Sequence, residues 1–390
     1  VVLDPSAVLS DELLERIRSR APGYDERNEF FREDFEELTA AGYLKAFVSQ
    51  DDGGLGASLA DVVRLQRRLA SAAPATALGV NMHLVWTGVA RVLQARGDSS
   101  LDFVLEEAAA GEVFAFGISE AGNDSVLFDS VTTATRLPDG AYAYTGVKVF
   151  TSLAPVWTRM GTFGKEETEA EPRLVYGFIR RDQPGWRHLD DWDTLGMRAS
   201  QSRTTILEGA VAPADRIVRS LPVGPNPDLL VFGIFAVFET LLSAVYTGIA
   251  ERALELGVEA AHRRRSLRNG GRPYSQDPDI RWQLADAAMA VDGVLPQLER
   301  IADDVDAIAD RGSAWFGALS GLKHRATAAA RRVVDVAMSV GGGGGYFRSS
   351  ELQRLYRDVL AGLYHPSDPE SAHATVANAL LGPLEDPAGT

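Results

Sequence analysis

Two of the six histidines in this 390-residue chain lie within one stretch near its end, LYHPSDPESAH, as His365 and His373. An imidazole titrates near neutrality, so His365 can take a proton from a substrate or return one. The Pro-Ser-Asp-Pro turn allows a second reading, in which a protonated His365 caps a helix that stops before Pro366. Asp368 and Glu370 read as turn and N-cap acids ahead of a last helix, and His373 as part of that helix. His83, in NMHLVW, reads by itself as a helix-face histidine bonded to a carbonyl. Glu239 interrupts the longest apolar run and is expected to pair with a base inside a helical bundle. The arginines of HRRRSLR, Arg265 among them, form either a solvated face or a phosphate site. No H-E-x-x-H, calcium loop or Walker motif is present, and no G-x-G-x-x-G follows a strand.

Composition narrows the chemistry. A net charge of −15 argues against a nucleic-acid binder, because a phosphate backbone selects for excess Lys and Arg. The chain has no cysteine, which removes disulfides, thiolate metal sites and thiol nucleophiles and fits a cytoplasmic protein. The N-terminus has acids where the basic start of a signal peptide would be expected. The run LLVFGIFAVF, 229–238, is too short and too interrupted for a membrane span. A helix apolar on nearly all sides is expected in a core or a subunit interface, and the interface is preferred here.

These residues are set in three blocks. The pattern is helical to about residue 115, with apolar residues spaced at three and four. It then becomes short, β-branched and aromatic, in FAFGIS, SVTTATRL, AYAYTGVKVF, RLVYGFIRR and RTTILEGAVA. After Pro227 it returns to long helices at 228–262, 279–310, 313–340 and 350–363. The units are therefore 1–115, helical; 116–223, β; and 224–390, helical. The fold class is α+β.

Five segments in this order resemble motifs of the acyl-CoA dehydrogenase superfamily, over essentially the whole chain. SQDDGGLGAS is similar to the turn between its N-terminal helices. FGISEAGNDSV resembles its Thr-Glu-Pro-Gly-x-Gly-Ser-Asp segment, with Ser119, Glu120, Gly122 and Ser125 in register and Ala121, Asp124 and Val126 departing. TGVKVFTS matches a strand that puts Phe150 at an aromatic position and Ser152 at a flavin-facing hydroxyl. DTLGMRASQSRTTILEGAVAPADRIV and GGGGGYFRSSELQRLYRD complete the set. The resemblance implies an N-terminal helical domain, a middle β-barrel-like domain and a C-terminal four-helix bundle. It also implies a flavin held by Ser119, Ser125, Phe150 and Ser152, with Gly342, Gly343 and Arg265 near its phosphates, and a homotetramer or homodimer. FAD is expected; Ser339, where the family has Gln, leaves FMN open.

The family's base departs from this pattern. It is a Glu nine residues after the Arg of the Arg-Asp pair, and counting from Arg357 gives Pro366. A minority carry it on the long apolar helix, at Phe238 here. Beside the missing Glu stands His365. The reduced-flavin-dependent monooxygenases of this fold are similar in placing a His there, a Ser at Ser152 and a His near His83. The resemblance then implies a two-component oxygenase using FADH2 and O2 on a small aromatic or N/S-containing substrate. His365 would be acid/base, Ser152 would support the oxygenated flavin, and His83 would be a second polar wall. A separate flavin reductase would supply the cofactor. An acyl-CoA dehydrogenase with Glu239 or an unrecognised acid as base, and a non-catalytic member of the fold, are the alternatives.

Overall fold

The computed structural model describes residues 3–167, 171–268, 270–382 and 384, so the outermost ends of the two helical units lie outside the described residues. The chain begins with α1 (Pro5–Val8), α2 (Asp11–Arg27), α3 (Arg32–Ala40), α4 (Leu59–Ala72), α5 (Pro74–Ala95) and α6 (Asp102–Ala109). Ser58 caps α4 in a reciprocal box with Asp61, which satisfies first-turn donors at both ends of the pair. The next eight elements are strands: β1 (Phe114–Gly117), β2 (Thr133–Arg136), β3 (Tyr142–Thr151), β4 (Arg159–Glu166), β5 (Arg173–Arg180), β6 (Trp186–His188), β7 (Arg203–Ala212) and β8 (Ile217–Pro222). They form one sheet in the order β6-β7-β3-β2-β4-β5-β8, with β1 added parallel to β4. β1 crosses the boundary drawn at 115/116, and we propose moving it into the turn before Phe114.

A long helix, α7 (Leu229–Arg263), returns the chain to helical structure. A short β-ribbon follows, β9 (Arg265–Ser266) paired with β10 (Arg272–Pro273). Then come α8 (Pro278–Asp292), α9 (Leu295–Asp306), α10 (Ala314–Gly341), α11 (Glu351–Val359) and α12 (Pro369–Leu381). The expected helix 279–310 is two helices, because Pro296 at the start of α9 cannot continue the hydrogen-bond ladder of α8.

The apolar helix corrects the interface expectation. By length and composition α7 could cross a membrane, yet 83% of its apolar window is buried inside this one chain. It packs against α4, α5 and α10. Gly248 permits that approach, since a Cβ there would stand 2.3 Å from the Arg67 carbonyl oxygen on α4. One core cluster runs through α2, α4, α5, α7 and α10, and a smaller one lies within the sheet around Tyr144, Trp157 and Met160.

Candidate active site

A cavity of about 300 Å³ opens where the sheet meets α5, α7 and the segment after α11. That is the small end of the range for ligand sites. Its walls are apolar at Leu78, Met82, Phe116, Phe238 and Leu363, with Phe150 and Trp192 placing aromatic rings across it. Ser119, Ser152 and Ser202 supply hydroxyls, and His365 and Pro366 close the side formed by the C-terminal turn. No Asp or Glu lines it among the described residues.

The hydroxyl wall rests on a buried ion pair. Lys148 Nζ lies 2.6 Å from Glu120 Oε1, and neither side chain is exposed. Lys148 also donates to the Phe163 carbonyl and stands over that ring at 4.3 Å. Glu120 accepts from the Val131 and Thr132 amides, the Ser130 hydroxyl and the Asn123 amide. Burial alone would raise the Glu120 pKa, but Lys148 and these donors outweigh it and hold the carboxyl at about 2. Lys148 is pushed down to about 8 by burial and held up by Glu120, so both are charged at neutral pH. The carboxylate thus fastens the loop after Ser119. The Val149 amide donates to the Ser119 carbonyl at 2.9 Å, which brings Ser119 beside the end of β3.

There the chain bulges. Pairing of β3 with β7 shifts between Lys148 and Thr151, and Phe150 and Leu153 take φ of 58° and 62° around Ser152. Left-handed backbone at non-glycine residues costs about 1–2 kcal/mol each and persists where the surroundings over-determine it. The bulge turns Ser152 inward, where its Oγ is 2.7 Å from Ser202 Oγ, and Ser202 is 2.8 Å from Ser200 Oγ. Met197 and Gln201 are also at positive φ, so the strain is concentrated on both strands that present the serines.

Two distant motifs meet beneath the cavity. A Cβ on Gly196 would lie 2.3 Å from the Arg357 carbonyl oxygen, so only glycine lets this loop cross α11. Asp358 accepts the Met197 amide at 2.6 Å, and Arg357 donates to the Leu195 carbonyl at 2.8 Å and to Asp25. The Arg-Asp pair therefore anchors the Leu-Gly-Met-Arg loop, and Arg357 reaches the cavity rim.

The turn that carries His365 is held from α10. Lys323 Nζ donates to the carbonyls of Gly362 at 2.9 Å, His365 at 3.1 Å and Ser367 at 3.1 Å. These are the carbonyls a helix leaves unsatisfied when it stops, so Lys323 takes the part of the C-cap. His365 Nε2 is buried without a hydrogen-bond partner. Burial, reinforced by the Lys323 charge, lowers the imidazole pKa to about 3. The expected near-neutral pKa and the protonated-cap reading are both corrected: His365 is a neutral ring with a free nitrogen.

Other candidates lie elsewhere. His83 is buried in α5, with Nε2 2.7 Å from the Leu44 carbonyl oxygen and Nδ1 accepting the Phe114 amide at 3.1 Å. Both nitrogens tie α5 to its neighbours, so none faces the cavity; burial takes the pKa down to about 4. Ser125 is exposed on its loop, and Arg265 is exposed on β9, where it donates to the Gly271 carbonyl. Gly342 (φ 62°) passes the Arg264 guanidinium, and Gly343 has open space around it. None of these four lines the cavity of this chain. Glu239 is buried on α7, and the base expected to pair with it inside the bundle is Lys323 of α10, whose charge acts on it without a direct ion pair. Ser202, Trp192, Tyr364 and Lys323 were not anticipated. Only Ser202 carried a signal, as the second serine of ASQS.

The residues present fit a flavin. The apolar cavity beside the edge-to-face Phe150 and Trp192 rings would take the isoalloxazine, and the buried Ser152 and Ser202 with the half-buried Ser119 offer hydroxyls to its polar edge.

Comparison with known proteins points the same way. The family descriptions "Acyl-CoA dehydrogenase, N-terminal domain" and "Acyl-CoA dehydrogenase, C-terminal domain" match residues 8–99 and 240–367. The chain is 31% identical to the amino sugar nitrososynthase DnmZ of Streptomyces peucetius over 85% of its length and 82% of that protein. It is 27% identical to a dibenzothiophene monooxygenase of Rhodococcus erythropolis, over 94% of this chain and 90% of that one. Among solved structures it is similar to KijD3 in complex with FMN and a dTDP-linked amino sugar, with a TM-score of 0.86, 27% identity, and coverage of 99% of this chain and 96% of that one.

Proposed function

The chain belongs to the acyl-CoA dehydrogenase family and is a flavin-dependent enzyme of its oxygenase kind, and we propose that it uses a reduced flavin, FADH2 or FMNH2, and O2 to oxygenate a small aromatic or N/S-containing substrate in the cavity beside His365. The observation that carries this reading is the cavity's chemistry. A neutral imidazole and three serine hydroxyls line it, and among the described residues no carboxylate lines it to remove the α-proton of an acyl thioester, Glu239 lying behind the wall formed by Phe116 and Phe238. Pro366 stands where that carboxylate would be. The relatives named as a monooxygenase and as nitrososynthases support the same chemistry.

The bound flavin supplies the activation of O2. Ser152 and Ser202, joined at 2.7 Å, would orient its polar edge, and Phe150 with Trp192 would keep bulk water from it. Buried at the wall, His365 Nε2 is poised to hydrogen-bond a substrate O–H or N–H. Proton transfer to it becomes favourable when the substrate leaves an anion beside the ring, because that charge raises the imidazole pKa. A separate reductase, and a homotetramer or homodimer, complete the proposal.

Purified protein tests it. The protein should bind externally reduced FMN or FAD, consume O2 with it, and transfer label from isotopic O2 to a product when indole, dibenzothiophene or an amino sugar nucleotide is offered. Anaerobic bleaching of bound oxidised flavin by butyryl-CoA or octanoyl-CoA would overturn the oxygenase reading in favour of a dehydrogenase.

A further inference from the structure

A second, smaller cavity adjoins the first. It measures about 20 Å³ and is lined by Glu239, Ser119, Pro366 and apolar residues that include Phe116, Ile118 and Phe238. Four of its residues, Phe116, Ser119, Phe238 and Pro366, also line the main cavity, so one wall separates the two spaces. One water requires about 10–15 Å³ and at least two polar partners. Glu239 presents two buried oxygens that make no close hydrogen bond, the Ser367 hydroxyl acting on them from the C-terminal turn, and Ser119 supplies a hydroxyl at the cavity.

We propose that this cavity is a one-water site between Glu239 and Ser119, and that through it Glu239 is the proton-holding residue of the active site. The proposal deepens the oxygenase reading and rests on it for the use of the proton. At rest His365 is neutral, burial having lowered its pKa to about 3, so it carries no proton into the reaction. Glu239 is 1% exposed, and burial raises its pKa to about 7 against the opposing charge of Lys323. The charged and polar groups around it come from each neighbouring element. Lys323 faces it from α10, Asp368 acts on Lys323 from the start of α12, and Ser119 faces it across the small cavity from beyond β1. His365 and Ser367 belong to the turn that Lys323 holds, the Ser367 hydroxyl acting on Glu239, and Tyr246 lies about two turns along the same face of α7, 5.9 Å from the His365 ring. A carboxyl proton on Glu239 can pass to the water and from the water to the Ser119 hydroxyl, which gives its own proton to the anion left in the main cavity that Ser119 also lines. The chain of transfers leaves Glu239 ionised beside Lys323, and it is reset by a proton from solvent.

The experiment is an infrared pH titration of the full chain without flavin, comparing wild type with Glu239→Gln and Ser119→Ala. Beside the buried carboxyls of Asp34 and Asp358, which titrate at about 6, wild type should show a protonated carboxyl band that disappears with a midpoint of about 7 and is missing in Glu239→Gln. Ser119→Ala should move that midpoint upward by removing one partner of the water. Identical spectra for wild type and Glu239→Gln between about pH 5 and 9 would overturn the proposal. With reduced FMN and O2, the rate of peroxide release should lose its limb at about pH 7 in Glu239→Gln, and retention of that limb would also overturn it. Failure of wild type to bind reduced flavin would refute the oxygenase reading, and the infrared result would still decide whether Glu239 holds a proton.

Discussion

Replacing Lys323 by methionine keeps the length of the side chain and removes its ammonium. In the structure that ammonium is 1% exposed and donates to three carbonyl oxygens, those of Gly362, His365 and Ser367, at 2.9 to 3.1 Å. A buried acceptor left without a donor costs about 1–3 kcal/mol. Three of them set an upper bound near 9 kcal/mol, reduced by water reaching the half-buried His365 and by relief of the burial cost of the ammonium itself. A net loss of about 3 kcal/mol is expected, which for a protein of this size lowers Tm by about 4 °C. Removing the cation that acts on Glu239 also pushes that carboxyl's pKa further up, since burial is then opposed by the Ser367 hydroxyl and no longer by Lys323. Calorimetric melting of Lys323→Met, of Glu239→Leu and of the double variant isolates the two effects. The double variant should recover part of the loss, because it buries neither charge. A Lys323→Met protein melting within about 1 °C of wild type would refute the view that this side chain holds the His365 turn.

Lys148→Met should be costlier than most core changes, about 3–5 kcal/mol, because it strands the Glu120 carboxylate in a site with no solvent exposure; thermal melts check it, and adding Glu120→Gln should recover part of the loss. The buried His83 sets an acid limit: its pKa falls from 6.5 to about 4 on folding, so its stabilisation is complete above pH 6.5 and is lost as the pH drops through 4. That difference corresponds to about 3 kcal/mol, and in urea titrations His83→Gln should show a correspondingly flatter loss of stability on acidification. Phe150 is 52% exposed with φ of 58°, so Phe150→Gly should leave Tm unchanged or raised slightly while weakening reduced-flavin binding several-fold, as read by fluorescence titration.

Alternation and spacing in the sequence determined the order of helical, β and helical blocks, and the turn chemistry that ends the helix at His365. The same reading missed β4, RMGTFGKE, and β8, IVRSLP. Their burial comes from pairing with β5, and neither shows a clean alternation of its own. Counting from Arg357 located Pro366 at the family's Glu position, because a short helix and turn keep sequence distance close to spatial distance. Which imidazole faces the cavity was a different kind of question. His83 and His365 are indistinguishable as residue types, and only packing assigns the first to the Leu44 carbonyl and the Phe114 amide and leaves the second a free nitrogen. Lys323 lies 42 residues from His365, and Glu239 much further, so their shared turn and cavity exist only once α7 and α10 pack together. Burial then lowers one pKa to about 3 and raises another to about 7, a separation of proton acceptor from proton store that residue identity alone does not contain.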